Sequence, residues 1–391
     1  MKLHRKLLIL LILVLSTTFI YAAKATPVEV VKVYQNYIPE SVNTDIKYKG
    51  EDLPKLLNYI FVKTKYGNVR QSPSGKSQLI YQIGFNQKLR VIKEVKYKNS
   101  KTSWYQVETP NGIGYISSIY CEDRTFRFEK MVSRIHELEK FINDNNMANL
   151  KVRSTNSYKP NPFNTGLLKA KDKYGTSLDQ NIIGKYYGEN IHVPDRSIVS
   201  VLSENNKEAK IRVEGIKEFP LTIEKKYLTD RPNIAKGFKK VIAIDIENQN
   251  LGAFEKIDGQ WTLISYIYAK TGIDSELGFE TPKGSFIVPA LKYDMGYRGN
   301  FGEDLGEARY AIRFSGGGYL HGTPIEHTEN ANREFFLHLK ETGLGTFKGT
   351  RKCIRNTESH AKFLFEWVLG NNKNIKSNYQ NLNENVVFII F

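Results

Sequence analysis

The sequence predicts a mainly β protein: small barrel-like modules ahead of a larger C-terminal β domain with a few helices. Three observations predict it. From about residue 59 onward, short runs rich in Val, Ile and Tyr alternate in polarity. Turn formers such as Gly67-Asn68, Pro73-Ser74-Gly75 and Pro110-Asn111-Gly112 punctuate these runs. Helical periodicity is confined to three stretches, Thr125 to Asn146, Asn330 to Glu341 and Thr357 to Leu369. A chain of 391 residues has room for two or three domains.

The N-terminus reads as a signal peptide over residues 1–25. A basic head, MKLHRK, precedes the apolar run LLILLILVL, and Ala23-Lys24-Ala25 offers a small-residue cleavage site. The rival reading is an uncleaved anchor, since Leu7 to Ala23 lies at the short edge of the ~20 residues a membrane span needs. No cysteine follows the apolar run, which argues against a lipid-anchored form, and no later stretch is long and apolar enough to cross a bilayer. An exported protein of the periplasm or cell envelope is implied, touching the membrane only if the segment stays uncleaved. The formal charge is +16, and about +12 once Lys2, Arg5, Lys6 and Lys24 are removed. Outside the cell such a charge suits anionic wall polymers or lipid headgroups, not nucleic acid. Lysine-rich usage beside many Asn and Ile also follows from genome composition alone.

Residues 26–58 form a lead segment without a readable motif. Residues 59–123 carry the clearest strand pattern, and Asn68-Val69-Arg70 with Pro73, the entry from Gly84 to Val91, Trp104-Tyr105 and Gly114-Tyr115-Ile116 resemble the bacterial SH3 domain of wall proteins. The resemblance implies a peptidoglycan- or peptide-binding accessory module; a spacer barrel without ligand is the plainer alternative. Residues 124–148 follow helical spacing, with Phe126, Phe128, Met131, Val132, Ile135, Leu138, Phe141 and Ile142 giving an apolar face that suits packing against a neighbour. Residues 149–232 read as a second, divergent SH3-like β module. Residues 237–391 are again mostly strand and close on VVFIIF, the composition of a buried strand.

Chemistry points to Cys353. Arg351, Lys352 and Arg355 surround it, and a helix is expected just after it, capped by Asn356 or Thr357. Cations and a helix N-terminus both favour a thiolate over the thiol, whose ordinary pKa is near ~8.5. A nucleophilic cysteine needs a base, and His321, in YLHGTP after a strand, is the candidate. Against this stands the common case of a lone cysteine as a small buried hydrophobe. His327, His338 and His360 lack the tight spacing of a metal site. The run Gly316-Gly317-Gly318 reads as a hairpin turn, because no Lys-Ser/Thr pair follows it.

His321-Gly322-Thr323, then Thr350-Arg351-Lys352-Cys353-Ile354-Arg355, with Thr281 to Phe286 (TPKGSF) upstream, resemble the YkuD-type L,D-transpeptidase catalytic domain. The resemblance implies Cys353 as nucleophile, His321 as the base that takes its proton, and the Gly322 carbonyl as the group that orients the ring. It implies Arg355, Arg351 and Thr350 as substrate contacts, backbone N–H groups of Lys352 and Cys353 as the oxyanion hole, and no metal or organic cofactor. Two motif positions depart from the family: Arg351 stands where it carries a second histidine, and Lys352 where it carries glycine. The 32 positions between His321 and Cys353 exceed the usual spacing, as an insertion containing EHTENANREFF would explain. The activity implied is cysteine acyl transfer from peptidoglycan tetrapeptide stems to form 3→3 cross-links. The alternatives are an L,D-carboxypeptidase and a non-catalytic wall-binding protein with a degenerate domain.

Overall fold

The computed structural model describes residues 28–157, 181–276, 278–298, 303–371 and 377–391. The signal segment expected at 1–25 lies outside the described residues, as does 158–180 within the second module. Among the described residues, four sheets and three α-helices make a mainly β architecture.

Seven strands between Asn58 and Thr125 form the first barrel, ordered 79–84, 66–70, 112–117, 103–109, 88–97, 58–62 and 121–125 across the sheet, and the strand Val28–Val33 adds to its long strand 88–97. Alternation puts Ile60, Val62, Val69, Leu89, Val91, Val107 and Ile116 into one core. The strand Asn58–Val62 is buried on both faces. Ile60 and Val62 fill the barrel, while Tyr59 donates to the Gly345 carbonyl at 2.7 Å and Phe61 meets the Phe347 ring edge-on at 4.9 Å.

The second barrel runs from Lys151 to Thr229. Its strands are ordered 189–194, 181–186, 221–224, 208–213, 198–204, 151–155 and 228–229. Numbered along the chain over the seven barrel strands alone, leaving out Val28–Val33, both follow the path 3-2-6-5-4-1-7. It has its own core of Ile182, Val193, Val199, Ile211, Val213, Leu221 and Ile223.

The C-terminal domain stacks two further sheets with a helix. Val386–Ile390 lies parallel to Lys240–Asp245 at the centre of one sheet, and every residue of both strands is buried. Ile242, Ile244, Phe388 and Ile390 face the core shared with the other sheet and the helix α3 (Glu358–Leu369), which contributes Leu364, Phe365 and Val368. Val241, Ala243, Val387 and Ile389 face the opposite way. There they meet α1 (Phe128–Met147), whose Phe128, Met131, Ile135, Leu138 and Ile142 recur at helical spacing. Burying each of those side chains is worth roughly 1.5–3 kcal/mol, so α1 is a third layer on this sheet of the C-terminal domain. Arg127, at its N-cap, binds the buried Asp245 carboxylate through two bonds of 2.6 and 2.7 Å. The unreadable lead segment takes part as well: Asn43–Thr44 extends this sheet beside Gln260–Tyr268, and Val42 and Leu57 join the same core. Among the described residues no helix is long and apolar enough to cross a membrane.

Candidate active site

The other sheet carries the histidine. Its long strand Asp304–Ser315 turns at Gly316–Gly317 and returns as Gly318–His321. Gly317 has φ +69°, a left-handed conformation that glycine adopts without strain. A side chain at Gly318 would meet the Phe314 ring at 2.7 Å. The three-glycine run is thus a tight hairpin. His321 ends the return strand, buried at 4 % exposure. Its Nδ1 donates to the Gly322 carbonyl at 2.7 Å; a carbonyl only accepts, so the lone pair rests on Nε2. Gly322 is itself held by its N–H on the Arg309 carbonyl at 2.9 Å. Burial, and then the nearby Arg355, push the imidazole down to about 4, against the weaker pull of the Gly322 carbonyl.

Cys353 leads into the two-residue strand Ile354–Arg355, which runs parallel to the histidine strand with Leu320 opposite Ile354 and His321 opposite Arg355. The thiol is half-buried. It donates to the Gly317 carbonyl at 3.9 Å and accepts from the Tyr319 N–H. The structure therefore brings the sulfur to the start of the strand whose end is His321. Helix α3 starts where expected, but its N-terminus does not reach Cys353. Ile354, Arg355 and Asn356 intervene, and Thr357 caps α3 by accepting from the His360 N–H. That terminus is occupied by carboxylates: Glu358 N–H donates to Glu341 at 2.9 Å, and Thr357 and Ser359 donate to Asp52 of the lead segment. Nor is the sulfur held ionised. Burial raises the thiol above its usual value, and the Tyr319 N–H, Arg355, Lys352 and Arg351 only moderate the rise. The resting pair is a neutral thiol and a neutral imidazole.

The loop ahead of the sulfur is clamped by the 271–281 segment and by a bond of its own. Gly349 and Thr350 N–H groups donate to the Thr271 carbonyl at 2.9 and 3.1 Å, and the Ile273 N–H returns a bond to the Thr350 carbonyl. Thr350 is 6 % exposed, and its hydroxyl donates to the Cys353 carbonyl. It braces the loop from within, which leaves it turned away from the substrate contact expected of it. The Thr281 hydroxyl donates to the Lys352 carbonyl and accepts from the Gly272 N–H, both at 2.7 Å, so the TPKGSF segment is fastened directly to the nucleophile loop. A side chain at Gly272 would meet Lys352 backbone atoms at 2.7 Å and the Phe279 carbonyl at 2.5 Å.

Lys352 adopts φ +106°. A non-glycine residue there costs on the order of 1–3 kcal/mol, and glycine, the residue expected at this motif position, would adopt the conformation without strain. The lysine is 2 % exposed, and its Nζ donates to the Gly316 carbonyl at 2.6 Å. Arg351 is half-buried, with Gly278 packed against its backbone. Arg355 exchanges two backbone bonds of 2.8 Å with Lys270, and its guanidinium acts electrostatically on both His321 and Cys353. The insertion between the two motifs forms a 3₁₀ turn, His327–Asn332, and α2 (Arg333–Glu341). A cavity of about 280 Å³ beside the site is lined by Lys292, Arg313, Tyr319 and Tyr379. A larger one of about 860 Å³ lies at the N-terminus of α3, and neither His321 nor Cys353 lines it.

Sequence reading missed Thr281 as a brace, Gly272, and the Tyr319 N–H. The TPKGSF motif pointed to the first; a backbone group carries no residue-type signal, so nothing pointed to the last.

Residues 65–121 match the model of the bacterial SH3 domain and residues 239–382 that of the L,D-transpeptidase catalytic domain. No curated protein matches the chain. Among solved structures, the L,D-transpeptidase of Stackebrandtia nassauensis is 17 % identical, covers 40 % of this chain and 56 % of its own, with a TM-score of 0.26. That of Xylanimonas cellulosilytica is 18 % identical over 39 % of this chain and 61 % of its own, TM-score 0.25. That of Mycobacterium smegmatis is 13 % identical over 62 % and 99 %, TM-score 0.27. The chain spans little more than half the length of the first of these (56 %). By its two family matches, the chain carries a bacterial SH3 domain followed by a YkuD L,D-transpeptidase catalytic domain.

Proposed function

We propose that the protein is a peptidoglycan L,D-transpeptidase that works by cysteine acyl transfer. One observation carries the reading: a neutral imidazole, its Nδ1–H held by the Gly322 carbonyl, ends the strand against which the Cys353 sulfur is seated. His321 Nε2 accepts the thiol proton as the sulfur attacks the carbonyl of the third residue of a tetrapeptide stem. The N–H groups of Lys352 and Cys353 receive the oxyanion. The terminal D-alanine leaves with the proton from His321, and a thioester remains. An amine of a second stem attacks it, gives its proton to His321, and releases the thiolate with a 3→3 cross-link formed. Water in the amine's place gives the carboxypeptidase reaction. Arg355 and Arg351 are the substrate-facing cations in this account, and Thr350 a brace of the loop.

The 149–232 module is a second SH3-like barrel on this reading, supported by a strand order that repeats the first barrel's. Export to the cell envelope follows from the basic-apolar N-terminus, and peptidoglycan is the partner that compartment supplies.

The test is the intact mass of the chain from Thr26 after incubation with a carbapenem, beside Cys353→Ala and His321→Asn, followed by turnover of a tetrapeptide. An adduct and cross-linked product from the wild type alone are expected. Absence of both from the wild type would leave a wall-binding protein without activity.

A further inference from the structure

We propose that the Lys352 side chain, and not its backbone alone, is a positioning residue of the nucleophile: its buried Nζ ties the cysteine loop to the glycine hairpin and sets a cationic group next to the sulfur. The inference rests on the acyl-transfer reading above and goes beyond it, because that reading uses only the Lys352 N–H.

Three observations on independent atoms converge. The first is backbone: Lys352 stands at φ +106°, where glycine would be unstrained. A lysine that offered nothing with its side chain would be the poorer choice there. The second is burial. Lysine is among the residues least often fully buried without a partner, yet Lys352 is 2 % exposed, deeper than Cys353 beside it. The third is the destination of the chain. Nζ donates to the Gly316 carbonyl at 2.6 Å, while the neighbouring Gly317 carbonyl receives the Cys353 thiol at 3.9 Å and the Tyr319 N–H meets the sulfur. One ammonium thus holds the hairpin whose next three residues provide both backbone contacts to the sulfur. Without that tie, a turn of three glycines is the most freely moving backbone in the site.

The charge has a second consequence. Every change in the reaction places negative charge on the sulfur or on the oxyanion beside the 352–353 backbone. A cation fixed in advance in a poorly hydrated site stabilises both without reorganisation. Other charged or titratable groups share the site: Arg351 and Arg355 flank the sulfur in sequence, His321 and Tyr297 face Arg355 from the two strands of the sheet, and Lys270 faces it from the neighbouring strand end. The lysine is distinguished from these by its burial and by its bond into the hairpin.

The experiment reads the thiol without any peptidoglycan substrate. Alkylation of the full chain by iodoacetamide is followed against pH for the wild type, Lys352→Met and Lys352→Gly, with Cys353→Ala as background; Cys121, at 2 % exposure, is shielded. Methionine keeps the buried stem and removes the charge. Glycine removes both and relieves the backbone. Both variants are expected to move the alkylation profile to higher pH by about one unit, roughly tenfold less thiolate at neutral pH, and to lower carbapenem acylation by a similar factor with the half-saturating concentration little changed. If the lysine merely fills space, Lys352→Gly will alkylate and acylate as well as the wild type or better, and Lys352→Met will keep the wild-type profile; either result overturns the proposal. A wild type that alkylates normally but neither acylates nor turns over tetrapeptide would remove the enzymatic reading, and the pH shift would still decide the role of the lysine in holding the sulfur.

Discussion

Two neutral groups, the Cys353 thiol and the His321 ring, make up the candidate pair. Surrounding cations would suggest a thiolate, but the penalty for charging a buried sulfur outweighs them, and the same burial keeps the imidazole unprotonated. On the proposed acyl-transfer reading this implies a general-base mechanism, in which charge appears only as the sulfur attacks. It fixes the sign of the pH dependence. The His321 pKa is lowered to about 4, so the base form is lost only as pH falls through that value. Carbapenem acylation of the wild type is expected to rise through about pH 4 and stay level to neutrality, then rise again where the thiol ionises without help. His321→Asn should abolish the level region, lowering the neutral rate about 10²–10⁴-fold, and leave only the alkaline rise. An acidic limb near pH 6.5 instead would mean a solvated imidazole.

At the scale of the element, the nucleophile loop is held by its neighbours more than by its own sequence. Thr271, Gly272 and Thr281 hold its backbone from one side, and Gly272 leaves no room for a side chain. Gly272→Ala should push Lys352 aside and lower acylation at least tenfold, while circular dichroism stays that of the wild type; full activity would show that the loop is not seated against that strand end. Helix α3 supplies a second case. Its first turn accepts two carboxylates, and burial raises Glu341 to about 7, with Asp52 and Glu358 adding repulsion. Because the folded protein holds this proton between about 4.5 and 7 while the unfolded chain does not, its stabilising effect is complete at low pH and lost as pH rises through 7. Glu341→Gln keeps an oxygen for the Glu358 N–H and removes the charge. It should raise stability by about 1–2 kcal/mol at pH 8, discounted for partial exposure, and change little at pH 5. Denaturant melts at the two pH values check it, and equal effects at both would disprove the assignment.

Across the whole molecule, both barrels are fastened to the catalytic domain near its chemistry. The first grips the loop that precedes the nucleophile: Tyr59 and Arg124 bond the carbonyls of Gly345 and Thr346, Lys88 that of Thr342, and Phe61 and Phe85 pack on Phe347. The second barrel sends the fully buried Asp195 to Arg313 at 2.6 Å, and Arg313 pairs across the hairpin with Tyr319. Breaking such a buried pair by removing one partner costs about 3–5 kcal/mol. Asp195→Ala should therefore lower the melting temperature, increase proteolysis between the second barrel and residue 240, and slow acylation through the displaced Tyr319 strand. Arg313→Met with Asp195→Leu should recover most of the stability. A single variant with wild-type melting and rate would mean that the barrel is only tethered.

The mainly β architecture, the first barrel and the α1 face were legible because each follows from residue spacing within one element: period two in Lys88–Tyr97, three to four in Phe128–Ile142, turn formers at Asn111-Gly112. His321, Cys353 and the TPKGSF segment were legible as residue types in order along the chain. The protonation state of the pair was not, because the cations that flank Cys353 are written in the sequence, whereas the burial that overrides them arises only when distant strands close over it. For the same reason nothing near Asn43 or Asp52 announced that the lead segment completes a sheet and caps a helix some 200 to 300 residues away. The path of the second barrel became readable only through strand pairing. The sequence by itself determined which elements form and which atoms are available for chemistry; tertiary structure alone decided their solvation and their neighbours, because desolvation and packing depend on groups that the chain brings together only by folding.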